Sequence, residues 1–398
     1  MMPNHAVGSG RSDGAAGADT VLVGTFNTPG DEFSALAHAG GLVRTSGWPE
    51  HADVVAGGGP DAPSWLVHGR AGMASEGKLY AALHLPEGEI AVLSPSPGRD
   101  VGWATSQRVP TGGANTCHAD LNPSGTWLAA ASYDSGTLTM APVLEGGLLG
   151  QPVAVQAPNG SGPVASRQEA PHLHFVLFLD DDRLLVTDLG ADRILEYSLQ
   201  DIVRTRTGAA PGDAAVADAG DCPPSRIHFL PAGTGPRHLA LLPPLPNAGI
   251  EEHHLAVVGE LDSRLHVLDL NATDEGFSEV AIVPTHGQDQ DPGSAQDNLP
   301  SHVVLSPDGA LIYVANRGRD TIGVIRRAET PELVAEVPCG GNWPRHIALG
   351  HLGEAPTLLV ALERDDAVVG LPLDAEGIPG EGRTRVIVRR PGFVLPPG

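Results

Sequence analysis

Glu260 sits in Val257-Val258-Gly259-Glu260-Leu261. Apolar neighbours there would desolvate its carboxyl and raise its pKa, which suits a general base working near neutral pH. His172 and His174 are alternate residues, so a strand would point both to one side. Imidazole titrates near neutrality, so either His could share the proton work. The pair could also hold a metal, but no third ligand stands at a telling spacing, so neither a metal nor a cofactor is expected. Arg237, Arg317 and Arg345 are the third chemical element. Arginine is a poor default for a crowded site in an acidic chain unless it pairs with Glu or receives an anion. Three of them together tilt the reading towards an anionic small molecule.

The overall charge narrows the class of partner. The 398 residues carry 48 Asp and Glu against 24 Lys and Arg, a net charge of −24. Nucleic acid and anionic membrane are therefore not expected as partners. The cysteines are Cys117, Cys222 and Cys339. An odd, sparse set without paired spacing points to three free thiols and a reducing cytoplasm.

Stepping outward from these residues, a unit recurs. It runs as a His-bearing lead-in, an apolar strand, a turn, a second apolar strand, a polar turn and a third strand. One copy reads Pro300-Ser301-His302-Val303-Val304-Leu305, then Ser306-Pro307-Asp308-Gly309, then Leu311 to Gly318 and Asp320 to Ile325. His118, His174, His238, His302 and His346 mark successive copies, with spacings of 56, 64, 64 and 44 residues. The shortest spacing is near the size of one four-stranded propeller blade, about 40–50 residues. The longer ones contain insertions, including excursions at Thr205–Pro224 and Gly287–Asn298. A weaker copy begins at Pro63. Six copies, plus end strands at Val21–Phe26 and Arg385–Arg389, predict an all-β, seven-bladed β-propeller of four-stranded antiparallel blades. Joining the two ends would remove the open sheet edges. Residues 1–17 read as a disordered tail and 18–398 as one propeller domain. No stretch approaches the ~20 apolar residues that span a bilayer.

The strand order places the chemistry. Consecutive strands run antiparallel, so the start of the first strand and the turn after the second share one face. His118, His172, His174, Arg237, His238, His302, Arg317, Arg345, His346, Glu260 and Glu363 then gather around one mouth of the channel. The histidines at the repeat position have a plainer reading, as hydrogen bonds between blades. His118, His238, His302 and Arg345 also stand as candidates for contacting substrate. Asp188, Asp192, Asp262 and Asp320 fall in turns, where Asp caps backbone amides.

At these residues the chain resembles the lactonase family of seven-bladed propellers, which contains 6-phosphogluconolactonases and carboxymuconate cyclases. The matching stretches are His172-Leu173-His174, Asp188-Leu189-Gly190-Ala191-Asp192-Arg193-Ile194, Gly235-Pro236-Arg237-His238, Glu260-Leu261 and Asn316-Arg317-Gly318. Ser306-Pro307-Asp308-Gly309, just before Asn316, matches too, and the similarity covers essentially Val21 to Gly377. The resemblance implies catalytic roles for His172 or His174, Arg237, Glu260 and Arg317. It implies hydrolysis of an anionic sugar-acid lactone such as 6-phosphogluconolactone, without a cofactor. The chain departs from the family pattern at His84, Tyr133 and Gly259. The same groups would serve a lactonizing cycloisomerase, because that reaction also needs Arg near a carboxylate and one acid/base. A non-enzymatic propeller scaffold is the other class, although the Trp-Asp and Gly-His signals of such scaffolds are missing. A metal-dependent lactonase is a further alternative, separated by chelator sensitivity. A monomer or weak homo-oligomer is expected.

Overall fold

Each repeat becomes one antiparallel sheet in the computed structural model, which describes residues 20–26, 41–48, 53–97, 102–205, 217–218, 222–273, 276–287, 298–352, 355–382 and 384–396. The 1–17 tail and most of the excursions at Thr205–Pro224 and Gly287–Asn298 lie outside the described residues. Among the described residues there are seven sheets. Blade 1 begins with Pro63–His68, blade 2 with Thr116–Leu121, blade 3 with Leu173–Phe178 and blade 4 with Pro236–Leu242. Blade 5 begins with Leu299–Leu305 and blade 6 with Pro344–Leu352. These six first strands and Pro391–Leu395 line the channel. Each touches the next, and blade 6 touches Pro391–Leu395, which touches blade 1, so the ring closes.

Burial explains why the strands read as they do. Second strands lie between neighbouring blades, so both faces are covered. Leu79–Leu83 and Leu311–Arg317 are buried at every position. Such strands read as continuous apolar runs rather than alternating ones. The outermost strands, such as Trp103–Pro110, are largely open to solvent and carry polar residues. The apolar clusters accordingly lie between blades. One packs Leu311, Tyr313, Ile322 and Val324 of blade 5 on Ile347, Leu358 and Val360 of blade 6.

Closure joins the two ends of the chain, but not through the strand expected from sequence. Thr384–Ile387 is the outer strand of blade 6, paired with Ala367–Pro372. Pro391–Leu395 instead pairs with Val21–Thr25, which continues to Leu42–Ser46 and Asp53–Gly58 as blade 7. The reason is amphipathic pattern. Thr384–Ile387 alternates buried and exposed, as an outer strand does, whereas Pro391–Val394 is buried at each position, as an inner strand must be. Blade 2 gains a fifth strand, Ala217–Asp218, parallel to Val153–Gln156. Among the described residues helix is confined to Leu199–Thr205 and single 3-10 turns. Among the described residues no helix is long and apolar enough to cross a membrane, and Cys117, Cys222 and Cys339 are free and buried.

Candidate active site

The polar turn after Gly259 and the lead-in before His238 meet at one mouth of the ring. A backbone hydrogen bond from Glu260 N–H to Gly235 O, 3.0 Å, ties the turn to the lead-in. Glu260, 1% exposed in its side chain, then meets three arginines. Its Oε2 lies 2.8 Å from Arg237 Nε of its own blade and 2.5 Å from Arg317 of blade 5. Its Oε1 accepts from Arg167, which comes from the segment between blades 2 and 3. Three guanidiniums thus share one carboxylate.

This arrangement reverses the pKa expected for Glu260. Burial does push its carboxyl up, as the apolar neighbours suggest. Arg317, Arg237 and Arg167 outweigh burial and bring it down to about 2. A carboxylate so strongly held in its ionised form is a weak proton acceptor. Glu260 fits the role of organiser of the arginines.

The histidines separate into three groups. His172 stacks on Tyr133, 4.5 Å between ring centroids. Its Nδ1 lies 3.1 Å from Tyr133 O and its Nε2 3.1 Å from Glu169 Oε1, so both ring nitrogens are engaged. His174 is different. Its Nδ1 is buried without a partner, and its ring lies 5.1 Å from that of His238 and 5.7 Å from that of Tyr133. Burial first, then Arg237, Arg345 and Arg317, hold its pKa well below the usual imidazole range, so it is neutral at pH 7. It lines a cavity of about 20 Å³ with Cys117, Arg237, His238, Arg345 and His346. That is room for about one water molecule.

His118, His302 and His346 bridge blades. Their Nδ1 atoms accept from the amides of Val176, Ile347 and Val394, each on the first strand of the next blade, at 3.2, 3.4 and 3.3 Å. Their rings pack with His238, Phe175 and Phe393 around Trp65, which fills the centre of the channel. His238 Nε2 lies 3.0 Å from Arg237 NH1. The structure thus puts His118 and His302 in the plug beneath the mouth, with His238 at its top. Arg345 stands across the mouth, 3.3 Å from Glu363 and 4.5 Å from the Phe26 ring centroid.

The turn aspartates cap amides. Asp192 accepts from Gly233 and Gly235, Asp262 from Arg264 and Asp320 from Trp343. Asp188 accepts from the His172 amide and pairs with Arg193 at 2.9 Å. Among the described residues no three His, Cys, Asp or Glu side chains cluster as a metal site.

Sequence reasoning missed Arg167, Glu169 and Tyr133 as partners of the site. Arg167 and Glu169 belong to an insertion without strand pattern, which carries no signal of its destination. Gln168 between them shows how the insertion is held: its Nε2 donates to Leu189 O at 2.9 Å and to Asp192 at 2.7 Å. Arg167 also lies 3.4 Å from Tyr133 Oη. Its side chain is 34% exposed, so it is the arginine of the three that faces solvent.

The chain is similar to several known proteins. Residues 52–396 match the family described as "Lactonase, 7-bladed beta-propeller". The chain is 33% identical over 240 residues to the 6-phosphogluconolactonase of Bacillus subtilis, covering 58% of this chain but only 59% of that protein. It is 26% identical over 275 residues to the 6-phosphogluconolactonase of Formosa agariphila, covering 67% and 69% of the two chains. The solved structure of the periplasmic gluconolactonase of Pseudomonas aeruginosa superposes with a TM-score of 0.72 at 21% identity, over 95% of this chain and 98% of the other. At that identity the superposition speaks for the fold alone. Taken with the ring of seven blades, the match over residues 52–396 shows that this chain belongs to the lactonase family of seven-bladed β-propellers.

Proposed function

We propose that the protein hydrolyses an anionic sugar-acid lactone such as 6-phosphogluconolactone at the Glu260 mouth. The carrying observation is the excess of guanidinium: Arg167, Arg237 and Arg317 share one carboxylate. Three guanidiniums around one carboxylate, in a chain of net charge −24, suit a phosphate, which carries about −1.5 to −2 at neutral pH. The relatives from B. subtilis and F. agariphila bear the name of that activity.

The geometry supports the following roles. Glu260 holds the three arginines apart and aligned. Arg167, exposed at the rim, and Arg317 grip the anionic group, and Arg237 faces the lactone carbonyl, where negative charge develops. Water in the small cavity beside His174 attacks the carbonyl carbon. His174 takes its proton through the unpartnered Nδ1, with the opposite tautomer proton on Nε2. The tetrahedral intermediate then collapses, the ring C–O bond breaks, and the leaving oxygen takes the proton back from His174. Substrate charge assists this step. Burial first, then Arg237, Arg345 and Arg317, depress the basicity of His174 in the free site. An anion bound to the arginines offsets the part of that shift that comes from their charge. His172, bonded to Glu169, stacks beneath Tyr133 and fixes the wall of the site.

Three unpaired, buried thiols fit a reducing compartment, so we place the activity in the cytoplasm. The test of function is direct. Purified protein should hydrolyse δ-gluconolactone 6-phosphate in preference to unphosphorylated δ-gluconolactone, with the difference mainly in KM. Equal turnover of the two, or none above the spontaneous rate, would reject the assignment.

A further inference from the structure

Five blades start their innermost strand from a residue in the left-handed backbone region. Ala62 (φ 42°), Asn115 (φ 55°), Gly235 (φ 57°), Trp343 (φ 65°) and Arg390 (φ 42°) directly precede the strands beginning at Pro63, Thr116, Pro236, Pro344 and Pro391. The carbonyl of each accepts from the first amide after the next strand outward in its own blade. The donors are His84, Tyr133, Glu260, Glu363 and Phe26, at 2.9, 3.1, 3.0, 3.1 and 3.1 Å. The five sites are one repeated device that fixes the gap between lead-in and turn; blade 3 makes the same bond, from the Leu189 amide to His172 O at 2.9 Å, without positive φ.

Glycine and asparagine adopt that conformation at little cost, whereas a bulky side chain is strained there. The local backbone therefore does not call for tryptophan. Nor does the ring hold the turn. Asp320 Oδ1 accepts from the Trp343 amide at 2.7 Å, and Asp320 Oδ2 accepts from Asn342 Nδ2 at 2.8 Å. What the indole does touch is arginine. The guanidinium carbon of Arg364 is 3.3 Å from the ring centroid, and that of Arg317 is 5.5 Å away. Arg317 is buried and reaches Glu260, while Arg364 is exposed. The half-buried indole thus lies against the guanidinium that pairs with Glu260 and carries the exposed Arg364 on its surface. Strain retained in a bulky residue beside a charged site points to a use for the side chain.

We propose that Trp343 is a positioning residue: its indole holds Arg317 beside Glu260 and walls the mouth where an anion meets that guanidinium. The proposal rests on the anionic-substrate reading of this site, and it names Trp343 as a residue that sets how tightly the anionic group is held.

The experiment compares parent, Trp343→Asn and Trp343→Phe. Asn already serves the same backbone role at position 115, so W343N should fold, with a thermal midpoint within a few degrees of the parent. It should raise KM for δ-gluconolactone 6-phosphate about tenfold, in line with one cation–π contact. It should change kcat and the kinetics of unphosphorylated lactone much less. W343F keeps an aromatic face and should recover most of the lost affinity. A parental KM in W343N, or a W343F as weak as W343N, would overturn the proposal. If the parent turns over no lactone, the hydrolase reading fails by itself, and inorganic phosphate replaces the substrate. Its Kd by calorimetry should then weaken about tenfold in W343N, and an unchanged Kd rejects the role of Trp343. Should W343N not fold, the fluorescence of parent minus W343F isolates the indole. Phosphate must perturb that difference signal, and a flat titration counts against the proposal.

Discussion

Lowering the pH from 7 to 5 should destabilise this protein through its channel. His118, His174, His238, His302 and His346 are buried together around Trp65 and Arg237. Burial lowers the pKa of all five, and the positive charges nearby add to it. His302 is brought from 6.5 to about 3. The unfolded chain accepts a proton on each near pH 6.5, while the folded chain refuses it. The unfolded state therefore binds more protons, and stability falls as the pH drops below 6.5. Each pH unit in that window costs about 1.4 kcal/mol per group. For His302 the loss reaches roughly 2 kcal/mol at pH 5 and continues towards pH 3. Four further histidines act in the same direction, against a total stability on the order of 5–15 kcal/mol. One histidine opposes them. His266 is buried, but its bonds to Asp262 and Glu279 raise its pKa, so its contribution is full in acid and lost as the pH rises. Glu260 and Glu196, both brought down to about 2, lose their contributions only below pH 4.5. The assay is reversible urea unfolding at pH 7.5, 6.5, 5.5 and 5.0 at constant ionic strength. The pH dependence should show uptake of several protons on unfolding near pH 5.5. A stability that is flat between pH 7 and pH 5, or an uptake below one proton, would refute the reasoning.

Three other outcomes test the site. Glu260→Gln leaves buried Arg237 and Arg317 without their counter-charge, so it should cost ~3–5 kcal/mol in urea unfolding as well as most of the activity; a fully active, fully stable variant counts against the organiser role. The parent's acid limb of kcat/KM should not report a carboxyl near pH 4.5, since Glu260 stays ionised far below that value. Arg167→Ala removes the exposed guanidinium and should raise KM for the phosphorylated lactone about tenfold, the worth of one charge-assisted hydrogen bond, with little change in thermal midpoint; an unchanged KM argues that Arg167 does not meet substrate. Reducing agent should leave stability unaltered, and mass spectrometry of the unreduced protein should show Cys117, Cys222 and Cys339 unpaired.

The repeat was legible because its physics is local. Apolar runs such as Leu311–Ala315 can be strands only if both faces are covered, and turn residues such as Ser306-Pro307-Asp308-Gly309 recur where hairpins need them. Antiparallel order then brings Arg237 and Glu260 to one face, since each sits at a fixed point of the repeat. The repeated geometry of one blade thus accounts for the meeting of Arg237 and Glu260. The closing strand was less legible. Arg385–Arg389 and Pro391–Leu395 are both short and partly apolar, and their assignment depends on which one finds both faces covered.

Other features depend on contacts between segments far apart in sequence. Arg167 reaches Glu260 across 93 positions, from an insertion whose path is set by Gln168 and Asp192. The pKa of Glu260 followed from this. Its apolar neighbours in sequence predict a raised value, and burial does act that way, but three guanidiniums from three segments reverse the sign. The channel histidines tell the same story. Their common place in the repeat is plain in the sequence, yet only the closed ring packs them on Trp65, next to the first strand of the following blade. The sequence alone determined the strand period, the blade count and the face on which charge collects, because these depend on neighbours within about 50 residues. The tertiary structure decided which charges meet, which imidazoles stay dry and where the ring closes, because electrostatics and burial are set by everything nearby in space.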